Sequence, residues 1–393
     1  MIRMPFSDSS KTVLKLGTAQ TLAWASSYYL PAILAAPIAH DLGINVATVF
    51  AAFSVGLLVS AFAGPRVGRA IDALGGRPVL VMSNIVFALG LVGLGCASGA
   101  WSLFAAWMVI GLAMAGGLYE AAFATLVRLY GRDSRNAITG ITLLAGFAST
   151  VGWPLSTALE AWVGWRGTCF AWAVLHIAMA LPLNGSLPRI TAEVEPQAAD
   201  AVQDAATVVS VVVPLRSVVL LAVVFAVTLF ISTAMAAHLP TLLTASGVSL
   251  GMAVTAGALI GPAQVAGRLL EFSVLRRMHP LLSARLASAL HPIGAVILAV
   301  VGTPAAIVFA LFHGAGNGVM TIAKGTLPLV LFGPQGYGER QGVLMIPARL
   351  AQALAPWLFG LCVERLGVGA LWVSVGLGGT AAAALWLLRS NSD

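Results

Sequence analysis

Runs of about twenty predominantly apolar residues follow one another along nearly the whole chain, separated by short polar turns. A backbone in hydrocarbon must pair its own N–H and C=O groups, and about 20 residues of helix cross a layer of roughly 30 Å. Of 393 residues, 59% are hydrophobic and 9% charged, where a soluble domain carries about a quarter charged residues. A soluble fold is therefore excluded, and the chain reads as an all-α polytopic membrane protein. Twelve spans are expected, at about 15–38, 46–66, 79–98, 101–130, 136–160, 168–188, 216–243, 251–271, 281–301, 304–331, 339–361 and 367–388.

The stretch from Pro188 to Pro214 holds Glu193, Glu195, Pro196, Asp200 and Asp204 and is too polar to span. It divides the chain into a six-helix bundle over 1–188, a cytoplasmic linker over 189–215 and a second bundle over 216–393. The first apolar run is too long for the core of a cleaved leader, so the mature chain is expected to start at Met1.

Basic loops are retained on the cytoplasmic side of a membrane. With the N-terminus inside, that side collects Arg3, Lys11, Lys15, Arg66, Arg69, Arg77, Arg128, Arg132, Arg135, Arg189, Arg216, Arg268, Arg276, Arg277, Arg285, Arg340 and Arg389, and the opposite loops hold Arg166 and Arg365. Trp101, Trp162, Trp165 and Trp372 fall at helix ends on that opposite side, where amphipathic rings favour the interface. The expected location is a bacterial-type inner membrane with both termini cytoplasmic. The formal charge of +7 is thus topological rather than a nucleic-acid footprint.

The two halves share landmarks. Gly131, Gly140 and Pro154 recur as Gly333, Gly342 and Pro356, each 202 residues later, and Gly43 and Gly247 are 204 apart. With an even number of spans in each half the repeats run in the same direction, related by an axis along the membrane normal. Two such bundles can rock about a site between them.

Cys96, Cys169 and Cys362 lie far apart without metal-ligand spacing, so no metal or cofactor is expected. No phosphate loop or nucleophile and base constellation appears either, which argues against an enzyme.

Between the second and third spans stands Gly68-Arg69-Ala70-Ile71-Asp72-Ala73-Leu74-Gly75-Gly76-Arg77. Gly68 permits close helix approach, Asp72 suits a helix start, and Arg69 and Arg77 suit carboxylates and lipid phosphates. This segment resembles the Gly-x-x-x-Asp-x-x-Gly-x-Arg signature of the major facilitator superfamily, and it stands at the same place among twelve spans. The resemblance implies two pseudo-symmetric six-helix bundles, a monomeric transporter, and a cytoplasmic gate built on Gly68, Arg69, Asp72, Gly75 and Arg77. The second half carries Phe272 and Arg276 at the positions matching Gly68 and Asp72, so only the first half keeps the motif. The fifth span reads Gly152-Trp153-Pro154, followed by Gly164-Trp165-Arg166-Gly167, which departs from the Gly-Pro pattern of proton-coupled drug antiporters.

Ionisable groups inside spans are costly and mark function. Glu120 lies eight residues before Arg128, Arg268 eight before Arg276, Lys324 nine before Gly333 and Arg349 nine after Arg340. Each is then roughly 12 to 13 Å from its helix end at 1.5 Å per residue. The resemblance places their helices, the fourth, eighth, tenth and eleventh, around a central cavity. Three cations against one carboxylate suit a bound anion. His313, Asn317, Met320 and Lys324 share one face of the tenth helix, as cavity lining or as helix-to-helix hydrogen bonding. Arg349 offers a planar fork for a carboxylate, with Gln352 on the same face. Arg268 lies in the cavity or at the phosphate level.

A narrower resemblance is to oxalate/formate and monocarboxylate porters, which use an arginine on the eighth helix and, in the oxalate porters, a second cation on the eleventh. Arg268 and Arg349 stand on those helices; Gln264 replaces an aspartate of the monocarboxylate porters. On the first helix Gln20, Trp24, Ser27 and Pro31 share a face beside Tyr28 and Tyr29, and Tyr28-Tyr29-Leu30-Pro31 is echoed by Ala237-His238-Leu239-Pro240. Gln20 and Tyr29 are cavity candidates, and Tyr28 and His238 outer-gate candidates. Glu120 is expected to bind a coupling proton or to pair with Lys324 or Arg128. The function expected is uptake of a small organic anion of the carboxylate class, coupled to protons. Anion exchange or export, and proton-driven efflux of hydrophobic compounds, stay open.

Overall fold

The computed structural model describes residues 6–188 and 214–388; nearly all of the linker expected over 189–215 lies outside them. Every regular element among them is helical. The helices are α1 (Phe6–Ser26), α2 (Pro31–Asp41), α3 (Val46–Leu74), α4 (Gly76–Gly95), α5 (Ala100–Gly117), α6 (Tyr119–Tyr130), α7 (Arg135–Ala145), α8 (Ala148–Leu175) and α9 (Leu181–Gly185) in the first half. The second half comprises α10 (Leu215–Ala245), α11 (Leu250–Ser273), α12 (Pro280–Val301), α13 (Ala306–Phe332), α14 (Tyr337–Leu366) and α15 (Ala370–Leu387).

Seven continuous segments among the described residues are long and apolar enough to cross a membrane. Ala100–Gly185, at 86 residues, contains three crossings, and Tyr337–Leu387, at 51, contains two. Gly131, Gly164 and Gly367 interrupt them with φ of 59°, 71° and 53°, a region that residues with a Cβ avoid. The repeat is visible in the same currency. Gly43 and Gly247 both have positive φ, as do Gly131 and Gly333, and Gly164 and Gly367, each pair closing corresponding crossings.

Three crossings expected as continuous are broken. The first parts at Ser27–Leu30, where the Tyr29 N–H reaches five residues back to the Trp24 carbonyl at 3.1 Å. The fourth breaks at Leu118, whose backbone is extended with φ −96° and ψ −169°. The fifth breaks at Gly146 and Phe147. Helices also run past the expected ends: α3 continues to Leu74, because its last turns pack on protein instead of stopping at the lipid boundary.

Each half has apolar cores of its own. Leu34, Leu57, Phe87 and Trp107 anchor one in the first half, and Phe225, Leu327 and Leu344 one in the second. One buried polar group of the first half is satisfied by its neighbours: His176, in a π-helical turn, has Nδ1 2.9 Å from Asn84 Oδ1 and Nε2 2.7 Å from Ser26 Oγ.

The halves meet mainly on the side of the Gly68–Arg77 motif. There α14 packs along α3 and α6, α11 packs on α7, and α13 packs on α6 and α7. Leu329 and Tyr337 of the second half belong to an apolar cluster otherwise drawn from the first. Among the described residues, α2, α5 and α8 make no extended packing against α10 to α15. The space between the halves is therefore closed at the motif.

Candidate functional site

At the closed end the α3–α14 crossing is backbone on backbone. A Cβ on Gly68 would collide with the Gly338 carbonyl, and one on Gly342 would lie 2.6 Å from Gly64. This approach brings Asp72 to the first turn of α14, where its Oδ1 accepts the Gly338 N–H at 3.0 Å and its Oδ2 the Glu339 N–H at 2.9 Å. Those donors are orphans of the helix start, and a carboxylate also meets the positive end of the helix dipole. Asp72 thus caps a helix of the other half. Arg69 reaches Glu339 at 3.2 Å, both exposed, a pair of little energetic weight. Gly75 supplies φ of 80° at the α3–α4 corner, and Arg77 stays within its half, donating to the Leu187 carbonyl at 3.2 Å.

A second tie on this side was not among the sequence expectations. Arg135 Nη2 donates to Glu271 Oε1 at 2.6 Å, and Nη1 donates to the Met278 carbonyl at 3.0 Å. Glu271 is buried. The signal available in sequence was an acidic residue three positions after Arg268, on the same face of α11.

Further inside lie the charges. Arg349 Nη2 donates to both Glu120 oxygens at 2.9 Å, and Nη1 donates to Gln352 Oε1 at 2.8 Å. Gln352 Nε2 then donates to Tyr28 Oη at 2.9 Å. One chain of hydrogen bonds therefore runs from α6 through α14 to the break in the first crossing. The Arg349 fork, expected to face a substrate, is engaged by protein groups, and the partner of Glu120 is Arg349, neither Lys324 nor Arg128. A crevice of about 20 Å³, room for a single water, leads from Gly68 and Gly338 to this pair.

Arg268 is buried, 5% exposed, on α11, which continues to Ser273. Its Nη1 donates to the Thr142 carbonyl at 3.0 Å, which also accepts the Gly146 N–H at 2.9 Å, and Gly146 makes the space. Nη2 lies 3.5 Å from Gln264 Oε1, and Nε has no partner. Lys324 is half-buried within electrostatic range of Glu120, Arg349 and Arg268, and its ammonium has no hydrogen bond or ion pair among the described residues. Tyr29 and Tyr119 lie within range of Arg268. The structure so brings Tyr28, Tyr29, Glu120, Arg268, Lys324, Arg349 and Gln352 to one level between the halves.

Other candidates lie elsewhere. His313 faces His291 of α12, ring nitrogens 3.0 Å apart, inside the second half. Asn317 donates to Ser232 Oγ of α10 at 3.0 Å. His238 donates from Nε2 to the Pro356 carbonyl at 2.7 Å, within its own half. Gln20 donates to the Gly117 carbonyl at 2.6 Å, while its Oε1 is buried and unpartnered.

The sequence profile of the Major Facilitator Superfamily matches residues 16–323. An uncharacterized 38 kDa protein in the 23S RNA operon of Thermoproteus tenax is 31% identical over 153 residues, 39% of this chain and 40% of that protein. The purine ribonucleoside efflux pump NepI of Escherichia coli K12 is 26% identical over 165 residues, 42% of each chain. A chloramphenicol resistance protein of Pseudomonas aeruginosa is 30% identical over 159 residues, 39% of this chain and 37% of that one. The matched segment spans about two fifths of these relatives. Among solved structures, the proton:xylose symporter XylE superposes with a TM-score of 0.78 at 11% identity, covering 98% of this chain and 96% of that one. FucP in the outward conformation gives 0.70 at 12% identity, covering 95% and 97%. Signature motif, twelve-span architecture, repeat and profile agree, and the chain belongs to the major facilitator superfamily of membrane transporters.

Proposed function

We propose that the protein is a secondary transporter of a small organic anion, coupled to protons and working by alternating access. The observation that carries this reading is the charge balance between the halves. Glu120 neutralises Arg349, and Lys324 and Arg268 then stand near it without an ion pair to a carboxylate among the described residues. Two cations drawn out of water are stabilised by an anion that shares the site. Glu120 is the proton-binding group: protonation frees Arg349 and removes the tie between α6 and α14, so the proton and the closure of the halves depend on one carboxylate.

In this reading the arginine-rich motif side is cytoplasmic and the opposite side faces outward. The bundles over 1–188 and 216–393 move as units about the 189–215 linker, and the protein acts as a monomer. The test is uptake into proteoliposomes with an imposed pH gradient, using radiolabelled monocarboxylates and dicarboxylates. Gradient-driven accumulation by the wild type, lost in Glu120→Gln while exchange across the membrane persists, is the expected result; accumulation by Glu120→Gln overturns the coupling role.

A second reading is efflux of uncharged or hydrophobic compounds. Two of the relatives support it by name, a purine ribonucleoside efflux pump and a chloramphenicol resistance protein. Expression in a host stripped of efflux pumps separates the two: resistance to such compounds that survives Lys324→Gln favours efflux.

A further inference from the structure

The anion site has a second wall that charge alone does not explain. Two of the three crossings that break in the first half, the first and the fourth, break beside aromatic residues that touch one another. The first opens just after Trp24, at Tyr28 and Tyr29; the fourth opens at Leu118, just before Tyr119. Trp24 sits at the centre, its ring 4.8 Å from Tyr119, 5.3 Å from Tyr28 and 6.4 Å from Tyr29. Tyr119 stacks nearly parallel on Phe123, with centroids 5.3 Å apart and 8° between planes. Aromatic rings cluster in protein cores as well, so the cluster alone assigns nothing.

Polar atoms at the same level point to a ligand. The Trp24 indole N–H is buried and has no acceptor. Gln20, one turn earlier on the same face and 1% exposed, spends its amide N–H on Gly117 and leaves Oε1 without a donor. Arg268, 5% exposed, leaves Nε without an acceptor and lies within electrostatic range of both Tyr29 and Tyr119. Buried donors and acceptors are normally paired, and an unmade hydrogen bond costs more than a made one contributes. Unpaired buried polar groups on both halves, with aromatic faces beside those of the first half, supply the components of a ligand site: mostly apolar walls with a few polar atoms.

We infer that the transported anion is an aromatic carboxylate. Its flat ring lies against Trp24, Tyr29 and Tyr119 of the first half, and its carboxylate meets Arg268 and Lys324 of the second. The inference rests on the organic-anion reading and narrows it. It also assigns each half a separate part of the ligand, ring to one and charge to the other. A molecule carrying both parts joins the halves, and neither part alone does so.

The test compares benzoate with cyclohexanecarboxylate, a similar volume and the same charge without a flat ring, and with hexanoate and succinate. Binding to the purified full-length protein is read by thermal shift and isothermal titration. Benzoate is expected to bind about two- to tenfold more tightly than cyclohexanecarboxylate, as ring contacts predict. Trp24→Leu is expected to erase that ratio while weak binding of both acids remains, and Lys324→Gln to weaken both together. Equal wild-type affinities for benzoate and cyclohexanecarboxylate overturn the aromatic inference without needing any variant to fold. In that case Lys324-dependent binding of hexanoate or succinate leaves the organic-anion reading standing. Absence of any Lys324-dependent binding across the four acids overturns both.

Discussion

Arg349 of α14 donates from one nitrogen to both carboxylate oxygens of Glu120 on α6, 2.9 Å from each, and so joins the two halves with an ion pair whose arginine is buried and whose carboxylate is partly exposed. Removing one partner of such a pair leaves a buried charge unpaired, a loss of about 3 to 5 kcal/mol, while removing both costs far less. Arg349→Gln and Glu120→Gln are each expected to lower the melting temperature of the purified protein. The double variant should recover most of that loss. Additive losses in the cycle would show that the pair contributes nothing as a pair.

Asp72 predicts a conformational effect rather than a loss of fold. Asp72→Asn keeps a hydrogen-bonding side chain but removes the charge from the start of α14, a change of about 0.3 to 1 kcal/mol. The closed side should open more often. A cysteine placed at Met345, which is 4% exposed in the crevice behind the latch, is expected to react a few times faster with a membrane-impermeant thiol reagent in the Asp72→Asn background. An unchanged rate would separate Asp72 from the closure.

The glycines of the α3–α14 crossing predict a sharp positional contrast. Gly68→Ala drives a methyl group into the Gly338 carbonyl, a backbone atom that cannot swing away, and is expected to abolish transport while leaving membrane insertion intact. Gly257→Ala meets nothing within 4 Å inside a helix and should be neutral or stabilise by up to about 1 kcal/mol. Transport assays with expression controls on both variants check this.

Lys324 should be removable without structural penalty, since its ammonium makes no bond among the described residues. Lys324→Gln is expected to match the wild type in thermal stability without ligand and to lose at least about tenfold in anion affinity, the worth of one charge-assisted hydrogen bond. A lower melting temperature without ligand would instead make Lys324 a structural residue.

Much of this architecture could be read from the sequence, because hydrocarbon imposes one solution on the backbone and composition reports it directly. The crossings, the repeat of Gly131 with Gly333, and the role of Asp72 at a helix start were legible for that reason. The breaks at Ser27–Leu30 and Leu118 were not. Pro31 follows the first and Gly116-Gly117 precede the second, but such residues are tolerated inside membrane helices and do not by themselves fix where one unwinds. Pairing was also hidden. Depth along each helix placed Glu120 level with Lys324 and Arg349 alike, and only the crossing of α14 over α6 chose between them. His313 shares a face with Lys324 by spacing, yet a helix meets different neighbours at different heights: Gly316 of α13 packs on Ala287 of α12, whereas Gly325 lies against Phe123 and Ile138 of the first half.

The seal at Asp72 is made of two hydrogen bonds from backbone groups that water can satisfy one for one when the halves part. Bonds that solvent replaces add little to the difference in free energy between open and shut. The balance between the two states is then light enough to be tipped by the few kcal/mol that a small ligand supplies through tighter binding to one of them. The helix start receives Asp72 as a weigh-beam receives its pointer, at rest near zero and answering to small loads.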